Sequence, residues 1–302
     1  MGEHPPGNHA GVGFGAGLDP WLERLGNLRN VVRQQLVARQ LDAHLPSTDR
    51  PLRVLDVGAG QGTQAIRLAR LGHVVTAVEP SSRMRAAFAR AAAALEDEAR
   101  ERVTLLDGDV AAVSHLTSPA AYDVVMCHGV LMYLPESGPA IAELARCAAP
   151  GALVSVVARN ADALAWRPAS RRDWAGVLAT LDEQDQAIAE RRDPWYVNEI
   201  HVRARADRLD ELTARFERER LRVEQWYGIR VASDDVGVDT PAPPPAELAR
   251  IVEVEDRLGR TDPYRRLGTL VHVVARAVPP RHRGGLRRHH EPDRVADGRR
   301  QG

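Results

Sequence analysis

A short apolar run closed by three glycines at alternate positions constrains this chain most: Val54-Leu-Asp-Val-Gly-Ala-Gly-Gln-Gly-Thr63, with a helical pattern following at once. Such a segment reads as buried strand, tight turn and helix N-terminus, because the run is too short for a helix and glycine turns where other residues cannot. The chain around it keeps the same rhythm. Apolar runs predict strands at 53–57, 74–78, 103–106, 124–127 and 153–158. Helical spacing predicts helices at 63–71, 82–99, about 111–115 and 138–148. Strands alternating with helices imply a parallel sheet with right-handed crossovers. The fold class is α/β, doubly wound.

The flanks of this core differ from it. Leu25, Leu28, Val32, Leu36 and Leu41 recur at helical spacing and predict an N-terminal helix within 21–45. Beyond Asn160 the alternation stops, and 160–205, with Trp166, Trp174, Trp195 and Tyr196 among many charges, reads as a cap insertion of helices and loops. A helix at 207–219, a strand at 222–231, a helix at 247–258 and a strand at 269–275 complete a domain expected to span 19–278. Residues 1–18 and 279–302, rich in Gly, Pro, His or Arg and poor in apolar anchors, are expected to be disordered.

Composition excludes several classes. With 44% hydrophobic and 27% charged residues over 302, the chain is an ordinary globular one with enough length for a real core. Basic and acidic residues number 41 each, so no global positive field favours nucleic acid. All the basic residues are Arg, which reads as a bias of the source. The longest strongly apolar run, Gly151 to Ala158, falls far short of the roughly 20 residues that span a bilayer. No signal peptide is visible, and Cys127 and Cys147 have neither metal-ligand nor disulfide-framework spacing. A soluble, cytoplasmic protein without a metal is expected.

The chemistry concentrates at strand ends. Gly58, Gly60 and Gly62 let the backbone approach a ligand, and the helix after them offers N–H groups to an anionic end of it; a tight turn with no ligand is the alternative. A dinucleotide loop wants G-x-G-x-x-G, but Thr63 holds the last position. Asp56, just before the loop, disfavours pyrophosphate and favours a cationic group. Glu79, about 20 residues on, stands where a carboxylate commonly takes ribose hydroxyls, or is a solvated acid. Asp109 could accept an adenine amino group or cap a helix, with Asp107 its competitor.

These residues resemble the class I S-adenosylmethionine-dependent methyltransferases: Asp56 to Gly62, including Ala59, as the first motif, Glu79 as the second-strand acid, and Asp109 with Val110 as the adenine contact. Tyr122 to Tyr133 is similar to their fourth-strand region and Pro150-Gly151-Ala152 to the turn before strand five, with Ala152 where a glycine is common. The resemblance implies a Rossmann-like methyltransferase fold with a seven-stranded sheet, and S-adenosylmethionine as cofactor. A narrower likeness, to the tRNA 5-carboxymethoxyuridine methyltransferases, lies in Leu28-Arg29-Asn30, His128-Gly-Val-Leu131, Arg159-Asn160-Ala161, Gly228-Ile-Arg230-Val231, Asp262-Pro-Tyr264 and Leu267-Gly268 with His272-Val273. It implies that Arg29 reaches the methionine carboxylate and that His128 lies beside the cofactor.

For the acceptor, Arg230 closes an apolar strand and can fork onto a carboxylate, or pair with Asp234 or Asp235. Asn160 and Tyr264 could hydrogen-bond a substrate; a Tyr after Pro is also a common packed lid residue. His128 could act as a base or be structural. The aromatic residues of 166–196 could stack a base or pack the cap. An acceptor carboxylate is already ionised near neutral pH and needs no base. The expected activity is methyl transfer to a carboxylate or hydroxyl of a small molecule, with a tRNA wobble uridine as the alternative acceptor. A nicotinamide oxidoreductase or a non-catalytic nucleoside-binding module is the reading from another class.

Overall fold

The computed structural model describes residues 23–198 and 200–279; the disorder expected of 1–18 and of 279–302 lies, but for Pro279, outside the described residues. Seven strands form one sheet in the order β3-β2-β1-β4-β5-β9-β8. These are β1 (Arg53–Val57), β2 (Val74–Val78), β3 (Val103–Leu106), β4 (Tyr122–His128), β5 (Ala148–Arg159), β8 (Leu221–Ile229) and β9 (Leu270–Ala277). β1 to β5 run parallel, while β9 lies antiparallel to both β5 and β8. Strand order reverses between β1 and β4, and in open α/β sheets ligands bind beyond the carboxyl ends of strands at such a reversal.

Burial on both sheet faces explains the near-continuous apolar strands. Leu55, Val57, Val125, Cys127, Val154 and Val156 pack against α6 (Gly138–Cys147) and α9 (Leu209–Arg218) through Ile141, Leu144, Leu212 and Phe216. Val54, Val124, Met126 and Leu153 face the other way, toward Ala65, Leu68 and Ala69 of α2 (Thr63–Arg70) and toward Phe88. Phe88 belongs to α3 (Ser82–Ala92), which follows β2. The N-terminal helix is shorter than expected: α1 is Leu28–Asp42, started by Asn27, whose side chain accepts from Asn30 N at 2.8 Å. Leu28, Val32, Leu36, Val37 and Leu41 form its buried stripe.

Two other expectations need correction. The helix expected over 82–99 breaks after Ala92 and resumes as α4 (Asp97–Glu101). The break turns Leu95 into the core, and Asp97 and Glu98 then fall in a first helical turn, where the dipole favours acids. The cap insertion contains not only α7 (Trp166–Ser170) and α8 (Trp174–Ala189) but an antiparallel hairpin, β6 (Trp195–Val197) with β7 (Arg203–Arg205). Three-residue strands are too short to leave a readable alternation. Arg205 anchors this hairpin, pairing with Asp193 at 2.6 Å and Asp207 at 2.7 Å and donating to the Leu131 and Leu134 carbonyls beyond β4.

Candidate active site

The glycine loop crosses the carboxyl end of β2, where Gly58 N and Ala59 N both donate to the Val78 carbonyl, at 2.8 and 3.1 Å. Its three glycines have two different causes. A Cβ at Gly58 would strike Val130, and one at Gly62 would strike the Phe88 ring at 2.6 Å. At Gly60 nothing lies within 4 Å, and φ is +57°. Two glycines therefore serve close packing, and the middle one leaves an open backbone face. That open face is what a ligand needs.

Glu79 is buried behind it and already engaged: its carboxylate accepts from Gly60 N at 2.9 Å and from Ser81 N at 2.9 Å. It is thus a clamp on the loop rather than a solvated acid. Burial raises its pKa despite those two hydrogen bonds and the nearby Arg85. Burial also lifts Asp56 to about 7, with the like charge of Glu79 next and a hydrogen bond from the Ala65 backbone opposing. Two buried acids that repel one another gain from a cationic ligand. Asp109 is exposed and accepts from Ala112 N at 3.1 Å, so it caps a turn, while its neighbour Val110 is buried. Asp107 pairs with Arg85 at 2.7 Å, which occupies the competitor.

On the other side of β4 the material changes to guanidinium. A pocket partly open to solvent is lined by Arg24, Arg29, Arg33, Arg159 and Arg230 together with Asn30, Gly129, Tyr196 and Asn198. α1 brings Arg29 and Arg33 there one helical turn apart. Its N-terminus is tied to the loop after β8 by Leu28 N on the Thr240 carbonyl (2.9 Å) and Asn27 Nδ2 on Val238 (2.6 Å). Arg230 is not in the strand as expected; β8 stops at Ile229, and Arg230 turns off with φ +57°.

One carboxylate organises this cluster. Asp234 lies 3.2 Å from Arg230 Nε, 3.3 Å from Arg29 Nη2 and 3.6 Å from Arg167 Nε. Burial pushes its pKa up, but Arg230, Arg29, Arg159 and Arg167 outweigh that and hold it below the usual range. The expected alternative for Arg230, a pair with Asp234, is therefore present, though buried rather than on the surface. Arg29 is 2% exposed and also donates to the Asp234 carbonyl at 2.7 Å.

Two expected acceptor ligands are elsewhere. Asn160 spends its amide on structure: Nδ2 donates to the Arg266 and Gly268 carbonyls at 2.9 and 2.8 Å, and its oxygen accepts from Asp162 N at 3.1 Å. Tyr264 is half exposed and outside the pocket lining. The cap aromatics divide: Trp166 and Trp174 are exposed, whereas the Tyr196 ring lies 4.8 Å under the Arg159 guanidinium in the pocket. Sequence reasoning assigns no role to Arg33, Arg159 or Asn198, although Arg159 stands in the Arg159-Asn160-Ala161 likeness; all three line the pocket. His128 closes β4, with Nε2 2.8 Å from Ser155 Oγ. Burial, then Arg33 and Arg67, bring its pKa down to about 3.

Comparison with known proteins agrees with this geometry. Residues 55–156 match the model of a methyltransferase domain. The tRNA 5-carboxymethoxyuridine methyltransferases of Escherichia coli O157:H7 and strain K12 are each 26% identical over 254 residues, covering 83% of this chain and 90% of theirs. The chain is an S-adenosylmethionine-dependent methyltransferase. The fold of this methyltransferase is shared with the 1,6-didemethyltoxoflavin-N1-methyltransferase of Burkholderia thailandensis, at TM-score 0.52, 17% identity and coverage of 92% and 94% of the two chains. An S-adenosylmethionine-dependent methyltransferase from Mesorhizobium loti superposes at TM-score 0.51 with 15% identity over 80% of this chain and 97% of its own. The residues present fit the cofactor: an open glycine face, an acid at the end of β2, and buried carboxylates suited to a cationic molecule. Among the described residues no cluster could hold a metal ion, and no helix is long and apolar enough to cross a membrane.

Proposed function

We propose that this methyltransferase forms a methyl ester on a carboxylate held in the arginine pocket. The observation that carries the proposal is the cluster of Arg29, Arg33, Arg159 and Arg230 gathered around the buried carboxylate of Asp234. Bound S-adenosylmethionine supplies an electrophilic methyl group on a sulfonium. Gly60, Ala59, Glu79, Asp109 and Val110 hold its nucleoside end, with Asp56 beneath the loop, and Arg29 takes its methionine carboxylate. Arg230, with Arg33 and Arg159, orients the acceptor carboxylate. An ordinary carboxyl group titrates near ~4, so the acceptor arrives ionised and no general base is required. His128, with its pKa near 3, stays neutral and takes no proton at physiological pH. Catalysis on this reading is orientation and exclusion of water.

The acceptor is a small carboxylic acid. Among the described residues, the cap surface mixes exposed Arg171, Arg172 and Arg191 with Asp173, Asp182 and Glu190 and forms no continuous basic track for RNA. A second reading, a carboxylate on a tRNA wobble uridine, is favoured by the likeness to the Escherichia coli tRNA methyltransferases over most of both chains. Mass spectrometry of tRNA nucleosides from a deletion strain separates the two. Loss of a nucleoside methyl ester selects tRNA, and an unchanged profile selects the small acid.

A further inference from the structure

A line of buried polar groups runs through the sheet from α1 to the end of β4. Gln40 Oε1 is 2.8 Å from His272 Nδ1, His272 Nε2 is 2.7 Å from Ser155 Oγ, and Ser155 Oγ is 2.8 Å from His128 Nε2. Gln40 is 2% exposed, and Ser155 and His272 are fully buried. Each comes from a different element: α1, β9, β5 and β4. Nothing in the packing asks for them, since apolar side chains would fill these mid-sheet positions without the cost of desolvating polar groups.

The protons along this line follow from what each group can donate. A neutral imidazole has one N–H and one lone pair, and a hydroxyl donates once. The Gln40 carbonyl oxygen accepts, so His272 carries its proton on Nδ1 and offers the Nε2 lone pair. Ser155 donates its hydroxyl proton to that lone pair. Its oxygen then accepts the Nε2 proton of His128. The remaining nitrogen, His128 Nδ1, is left with a lone pair and has no hydrogen-bond partner among the described residues; its chain neighbour Gly129 lines the arginine pocket.

We propose that Gln40, His272 and Ser155 are positioning residues that hold His128 as its Nε2–H tautomer and so present a neutral Nδ1 lone pair at the methyl-transfer site. The tautomer is a property of the chain alone; only the use of the lone pair rests on the methyltransferase reading. An imidazolium beside a cationic cofactor would be repelled, whereas a neutral acceptor is attracted to it. Burial and the charges of Arg33 and Arg67 disfavour the imidazolium at His128, and burial with the neighbouring His128 and His44 does the same at His272.

The test is nitrogen NMR of the full chain labelled with ¹⁵N-histidine, at neutral pH without ligand, with peaks assigned by His128→Gln and His272→Gln. The expected result is opposite tautomers: protonated Nε2 in His128 and protonated Nδ1 in His272. Ser155→Ala should turn His128 into a mixture of tautomers and weaken S-adenosylhomocysteine binding by roughly threefold to tenfold, the scale of one hydrogen bond. A wild-type His128 protonated on Nδ1 overturns the proposal, as does a tautomer unmoved by Ser155→Ala. An altered tautomer with unchanged S-adenosylhomocysteine affinity overturns the link to the site. Failure of the wild type itself to bind S-adenosylhomocysteine instead overturns the methyltransferase reading.

Discussion

The two sides of β4 are built from opposite materials. On the glycine-loop side the ligand-facing groups are backbone and acid: the open face of Gly60, Glu79 clamping it, and Asp56 lifted to about 7 by burial. On the α1 side they are arginines gathered around Asp234. The first side suits a molecule with a positive centre and the second a negative one. The proposed methyl transfer from a sulfonium to a carboxylate uses both kinds of surface.

The difference also governs how the two sides respond to mutation. Asp234→Asn should have the largest effect on stability, about 3–5 kcal/mol, because it removes a buried charge that pairs with both Arg29 and Arg230. Urea unfolding measures it. A loss below ~1 kcal/mol would mean that the arginines are solvated and that Asp234 does not organise them. Added carboxylate ligand should restore part of the loss.

Gly60→Asp should leave the fold standing but weaken S-adenosylhomocysteine binding at least ~100-fold, about 3 kcal/mol. The site has room for a side chain and Asp tolerates a left-handed backbone, so the added group enters the ligand's space. Gly62→Ala is the control, since its Cβ meets Phe88 and costs stability first. Wild-type affinity in Gly60→Asp would remove the loop from the cofactor site.

Arg230→Lys should lower acceptor affinity by roughly 1.5–3 kcal/mol, because one ammonium cannot reproduce a guanidinium fork. S-adenosylhomocysteine affinity should change far less. Equal losses for both ligands would show that Arg230 acts only through Asp234 and Arg29.

A smaller effect follows from Asp56. Its folded pKa lies above the unfolded value of 3.8, so its stabilising contribution is complete below about pH 4 and lost as pH rises through about 7. Asp56→Asn should therefore gain stability relative to wild type between pH 4 and 8 in the ligand-free protein, while binding cofactor more weakly. A stability difference that does not vary with pH would place Asp56 in a solvated environment. Tyr264→Ala, on an exposed turn, should change both affinities by no more than ~0.5 kcal/mol.

The same contrast decides what could be read from sequence. The βα alternation repeats a local period along 53–158, and the glycine loop and Glu79 lie within thirty residues of each other; apart from the helix that breaks after Ala92, these elements stand where the pattern puts them. The arginine side is assembled from distant pieces. Arg29 and Asp234 are 205 residues apart, and Arg159 enters from the end of β5. No local period connects them. Asn160 reads as a ligand from its neighbours in sequence, whereas the fold spends its amide on the carbonyls of Arg266 and Gly268. The β6–β7 hairpin escaped because three residues cannot display a period of two.

Methyl esters differ from other methylated products in one decisive way: mild base cleaves them and releases methanol. The protein should be incubated with methyl-labelled S-adenosylmethionine and a pool of small acids or of tRNA, and the product treated with base. The expected result is label released as volatile methanol, lost in Arg230→Ala. Label that stays on the product through base would mean transfer to nitrogen, carbon or an ether oxygen, and would contradict a carboxylate in the arginine pocket.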